Sequence, residues 1–217
     1  MIKNLKNKLK FSFEINKIIW FLVTVNFVNI LAFQFFAPFF SIFVTKQIQG
    51  GTLAVVGFSY SIYWIAKSVF QLPIARYLDK DYGERDDYYA LFFGLILASL
   101  IPIGYFFARA PIHIYGIQMV LGLSDALIVP AWLATFTRHV DKFRISFEWT
   151  LNSIAIGIAA AIAGAAGGFL SERFGFNILL IIMSIFSFFS ALISLRLYKF
   201  MTPKKVEELE KVFPERK

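Results

Sequence analysis

The sequence contains no cysteine, only two histidines, and charged side chains at just 17% of its 217 positions. Without cysteine there is no disulfide, no thiolate metal site and no cysteine nucleophile. His113 and His139 stand far apart, with no zinc-type spacing, at the ends of apolar blocks, where an interfacial role outweighs chemistry. The one glycine-rich stretch lacks the lysine and hydroxyl of a nucleotide-binding loop, which leaves ATP-driven work without a site on this chain. These absences argue against an enzyme, a metal and a cofactor.

What is present is apolar. Hydrophobic residues make up 58% of the chain, 27 of them phenylalanine, and the mean hydropathy is +0.66. A soluble domain of this size needs far more polar surface. The apolar residues fall in six blocks, 18–43, 53–74, 89–107, 112–137, 147–170 and 177–198. Each is long enough, at about 1.5 Å per residue, to cross a hydrocarbon core of about 30 Å. The expected fold is all-α: a polytopic membrane protein of six transmembrane helices joined by short loops. Residues 1–17 read as a basic segment on the inner membrane surface, 18–198 as the transmembrane domain, and 199–217 as a charged tail, either a short interfacial helix or a solvated end.

The formal net charge of +8 is distributed as a topology signal. Of 22 lysines and arginines, 18 fall in the first 17 residues, the second and fourth loops and the tail. Three, Lys46, Arg109 and Arg173, fall on the opposite side. The positive-inside rule then places both termini in the cytoplasm, with the cytoplasmic membrane as the expected location. The charge attracts anionic lipid, and nucleic acid is not an expected partner.

One cation remains, Lys67, inside the second block. It lies about 13 Å in from Arg76, near the bilayer centre, so it has to face protein or water. Tyr60, Trp64, Lys67 and Gln71 share one helical stripe. A second stripe on the fourth block holds Gln118, Gly122, Asp125 and Trp132, with Asp125 at similar depth. Asp125 is the only acid in the core of a block, which leaves an intramembrane aspartyl protease without its second carboxylate. Lys67 and Asp125 are expected to be partners or neighbours lining a solute pathway, with a purely structural ion pair as the alternative. Asn26, Asn29 and Gln34 add polar groups on the first block, either to the pathway or to bonds between helices. Ala160, Gly164 and Gly168 form a small-residue stripe for tight helix packing, inside the bundle or against another subunit. Pro38, Pro73 and Pro130 are expected to kink or end helices.

The segment "ARYLDKDYGER" at 75–85 resembles the signature loop between the second and third spans of the major facilitator superfamily, with Asp79, Lys80, Gly83 and Arg85 in the matching roles. Ala75 replaces the usual glycine, one extra residue separates Lys80 from Gly83, and Glu84 stands where a basic residue is common. Gly122 in the fourth span, Arg144 just before the fifth, and "GAAGGFLSERFGF" at 164–176 agree in place. Gln118 stands where many proton-coupled members carry arginine, and the fifth span lacks the antiporter proline. The resemblance implies a half bundle built as a 3+3 inverted repeat, half of a usual twelve-span member, with the first, second, fourth and fifth spans bordering a central cavity. The echo of "LDKDYG" (78–83) in "LSERFG" (170–175) fits such a duplication. The resemblance further implies a secondary transporter of a small solute working by alternating access. The second half would come from a parallel homodimer or a separate chain, and an opening Met with a charged tail reads as a complete chain. Asp79, paired with Arg85, Arg144 or a helix N-terminus, would clasp the inner mouth. A non-transporting scaffold or assembly partner that keeps the fold is the other reading.

Overall fold

The computed structural model describes residues 15–80 and 83–201. The proposed interfacial segment therefore lies outside the described residues up to position 14, and the tail beyond position 201.

Local sequence sets where the helices begin and end. The Asn16 side chain accepts from the Ile18 N–H at 3.0 Å and starts α1 (Lys17–Gln34). Pro38 has no N–H to give, and the chain passes through a short 3-10 turn, Ala37–Phe39, before α2 (Phe40–Gln47) completes the first span. Thr52 caps α3 (Leu53–Leu78), accepting from the Val55 N–H at 3.3 Å. Two further helices follow, α4 (Arg85–Phe107) and α5 (Pro111–His139). Pro111 occupies the first turn of α5, where its missing N–H is no loss. The His113 ring Nδ1 accepts from the backbone N–H groups of Arg109 and Ala110 at 3.1 and 3.3 Å, so this histidine caps a helix start. α6 (Ile145–Phe174) and α7 (Phe176–Ser194) are separated only by Gly175, whose φ of 75° is the left-handed conformation that favours glycine. A 3-10 segment, Leu195–Phe200, closes the described chain.

Six spans result, Lys17–Gln47, Leu53–Leu78, Arg85–Phe107, Pro111–His139, Ile145–Phe174 and Phe176–Phe200, each apolar and long enough to cross a membrane. They overrun the expected blocks by up to four residues at an end, because charged residues such as Arg85, Asp86 and Asp87 continue the helices beyond the apolar runs. Pro73, Pro102 and Pro130 all lie inside helices.

The packing obeys a simple exchange rule. The fourth span packs on the second and third, and the first packs on the fifth and sixth. The third packs on the sixth, and the first touches the fourth. Exchanging spans one to three for four to six leaves these contacts unchanged, as an internal repeat requires, while the contact between the fifth and sixth spans across Gly175 has no equal between the second and third. The sequence echo is looser than the packing: α3 ends at Leu78, whereas Leu170 lies four residues before the end of α6. Interhelical hydrogen bonds tie the layers together. Trp132 Nε1 donates to the Leu22 carbonyl at 3.1 Å, Ser190 Oγ to Val25 at 2.9 Å, and Ser124 Oγ to Gly94 at 2.9 Å. Asn26 Nδ2 donates to Asn152 Oδ1 at 2.9 Å, joining the first and fifth spans.

Close approach inside the bundle occurs at Gly167, where a Cβ would meet the Phe35 carbonyl oxygen at 2.6 Å. Ala159 and Ala163 complete that buried face. This corrects the inward version of the small-residue expectation. Ala160 and Gly164 sit one residue round, a Cβ at Gly164 would meet nothing within 4 Å, and Gly168 makes only ordinary contact with Phe39. The helical period turns the Ala160–Gly164 edge away from the first span.

Candidate functional site

Asp125 is the central residue of α5, and Lys67 lies near the middle of α3. The structure brings them together: Lys67 Nζ is 3.1 Å from Asp125 Oδ2. Tyr63, one turn before Lys67, donates its hydroxyl to the same oxygen and accepts from Lys67 Nζ at 3.1 Å. The ammonium also lies 5.5 Å from the Tyr63 ring centroid and 5.1 Å from that of Trp64.

Gly122 makes this arrangement possible. A Cβ there would lie 2.6 Å from the Tyr63 carbonyl oxygen and 3.0 Å from the Lys67 backbone nitrogen. Glycine lets α5 press against α3 at that level, which puts Asp125, on the same face of α5, within reach of Lys67. The pair is not sealed. The side chains of Lys67 and Asp125 are 15% and 27% exposed, and Tyr60 and Trp64 are exposed beside them. Gln71 is half-buried, a turn nearer the end of α3 that carries Arg76.

A small cavity of about 220 Å³ adjoins the site, lined in part by Phe36, Phe40, Tyr60, Tyr63, Tyr105 and Gln118. Tyr63 belongs to both the cavity wall and the ion pair. Gln118 is buried and faces this cavity. The lining differs from the expected set of spans. The third and sixth spans contribute Tyr105 and Met183, and no residue of the fifth takes part, because the cavity lies toward the Phe33–Phe40 end of the first span. Asn29 is buried on α1 with its Oδ1 unpartnered among the described residues, and no hydrogen bond joins it to the pair.

The opposite end of the bundle carries a second polar cluster. Arg138 pairs with Asp87, whose side chain is fully buried. His139 Nε2 lies 3.4 Å from Glu84, and the Asn16 side chain donates to the His139 carbonyl at 3.3 Å. Glu148 accepts from the Asp141 N–H at 3.0 Å. The expected clasp residues lie around this cluster, and Asp79 does not meet the others. Asp79 is exposed at the end of α3, with no partner for its carboxylate among the described residues, and Lys80 is exposed beside it. Gly83 is buried, the Arg85 guanidinium lies 5.4 Å from the Tyr198 ring centroid, and the Arg144 backbone precedes α6. The acids that begin α4 reach the end of α5 first, because α4 and α5 are antiparallel neighbours.

Tyr63, Asp87, Arg138 and Glu148 are polar residues to which reading the sequence alone gave no site role, and Glu84 was read only as a departure in the loop. Tyr63 had a signal, since it lies four residues before Lys67 on the same helical face. The others sit at helix ends, where charges are common and carry no mark of burial.

A family model for the Major Facilitator Superfamily matches residues 22–216. That match spans nearly the whole chain and all six membrane-crossing helices, so this integral membrane protein belongs to the Major Facilitator Superfamily.

Proposed function

We propose that the protein is a secondary transporter of a small solute and that Lys67, Asp125 and Tyr63 form the polar centre of its pathway. The observation that carries this reading is the mid-span ion pair, charged groups that are costly in a membrane and yet are left partly open beside an aromatic cavity. A purely structural pair gains nothing from that opening. Tyr60, Trp64, Gln71 and Gln118 line the approaches, and Asn29 supplies a further polar group on the first span. The cavity lies toward one end of the bundle and the Glu84–Asp87–Arg138–His139 cluster toward the other. Such a polarity fits one state of an alternating-access cycle, with the charged end on the cytoplasmic side by the lysine and arginine bias. Asp79, Lys80, Gly83, Arg85 and Arg144 form the loop region that would gate that end. Two half-length subunits in parallel complete the pathway, whether two copies of this chain or this chain and a separate second half.

Uptake by protein reconstituted in vesicles tests this. A ligand-dependent thermal shift screen would first find the solute, since a ligand stabilises the folded state. Lys67→Met and Asp125→Asn should each abolish or reshape uptake. Either single change leaves an isolated partner and should lower stability more than the double change does. Additive stability effects would mean the two are not coupled, and normal uptake by both single variants would return the pair to a structural role or the chain to a scaffold.

A further inference from the structure

Resting on that reading of the Lys67–Asp125 centre, the geometry points to the class of solute: we infer that the pathway takes an organic ammonium ion carried on an apolar, ring-sized body. The surroundings of Lys67 Nζ amount to a cation site. Two aromatic ring centroids lie within 5.5 Å of it, and a carboxylate oxygen and a phenol oxygen each lie at 3.1 Å. Ring faces carry the negative part of the aromatic quadrupole, so this shell attracts positive charge and repels anions. In this structure the site is filled by the protein's own ammonium, tethered to α3.

Three features favour a free ammonium as the natural competitor. Both hydrogen bonds to Asp125 use Oδ2, the Asp125 side chain is 27% exposed, and no hydrogen bond among the described residues takes up Oδ1, which leaves it for a second donor. Trp64, one of the two residues whose rings form the shell, is 46% exposed, and Tyr60 beside it is 59% exposed, so the shell is open on that side of the six-span unit. The adjoining cavity is walled by Phe33, Phe36, Phe40 and Leu121, with no basic side chain among its lining residues. An anion entering there would meet one lysine already neutralised by Asp125. An ammonium with an aryl or alkyl body places its charge where Lys67 now sits and its body against those walls.

The test compares two probes with the same ring and opposite charge, 2-phenylethylammonium and 3-phenylpropanoate. Their binding to purified protein in detergent is measured by titration calorimetry. The ammonium should bind and the carboxylate should not. Lys67→Met removes the tethered competitor and should tighten ammonium binding by about tenfold. Trp64→Leu changes no charge, alters an exposed side chain, and should weaken it by roughly threefold to tenfold. Asp125→Asn should eliminate it. Binding of the propanoate that Lys67→Met abolishes would overturn the ammonium assignment while leaving the solute pathway standing. Ammonium binding unchanged in Lys67→Met and Trp64→Leu, or absent from wild type, would also overturn it. Failure of the pathway reading is distinguished by uptake that survives both single substitutions at the pair.

Discussion

A lysine ammonium at mid-span is tolerated only if it finds water, a counter-charge or a hydrogen-bonding shell. Lys67 has the last two, and its position depends on a residue that carries no charge. Gly122 sets how closely α3 and α5 approach, with a Cβ there 2.6 Å from a backbone oxygen that cannot yield as a flexible side chain does. Gly122→Val should therefore push the helices apart, lengthen the Lys67–Asp125 contact and cost about 2 kcal/mol or more in stability. Thermal unfolding in detergent, with uptake on the same preparation, measures both effects. A wild-type midpoint and wild-type uptake would show that the contact does not rest on this close approach.

At the scale of elements, the meeting of α4 and α5 at the basic end of the bundle is held by charge. Asp87 is fully buried and depends on Arg138. Arg138→Gln leaves that carboxylate without its partner and is expected to destabilise by about 3–5 kcal/mol, whereas Arg138→Gln with Asp87→Asn should recover much of the loss. Unfolding midpoints of the two variants side by side give the answer, and equal losses would mean the pair is not coupled. Asp79 is the contrasting case. It is exposed at the end of α3, free of partners among the described residues, so Asp79→Asn should leave the unfolding midpoint within about 0.5 kcal/mol of wild type. If the loop gates the inner mouth, the same variant should change uptake kinetics. Unchanged kinetics would make it a solvated turn.

For the whole molecule, the coverage of the spans is uneven. The second and fifth are the least buried, and they exchange under the inverted-repeat relation. The second carries exposed Phe58, Ile65, Val69 and Leu72, and the fifth carries the small-residue edge at Ala160 and Gly164. Both edges suit a second six-span unit, and the same lysine and arginine bias inserts two copies in one orientation. Subunit counting by stepwise photobleaching in vesicles should find two copies per transporting unit. A uniform population of active monomers would overturn the dimer.

The number of spans, their helical nature and the mid-helix positions of Lys67 and Asp125 were all legible in the sequence. They follow from the length of apolar runs and a fixed rise per residue, which are local properties. The pairing of Lys67 with Asp125 was half legible: opposite charges at equal depth implied it, but only packing put α3 beside α5, and only Gly122 made the approach close enough. Tertiary structure alone decided which face of the fifth span turns inward, because Ala159, Ala163 and Gly167 differ from Ala160, Gly164 and Gly168 by a single residue of rotation. It also decided that Asp87, not Asp79, meets an arginine at the basic end. A carboxylate near a helix end looks the same in sequence whether it faces water or a neighbouring helix, and burial is a property of the assembled bundle.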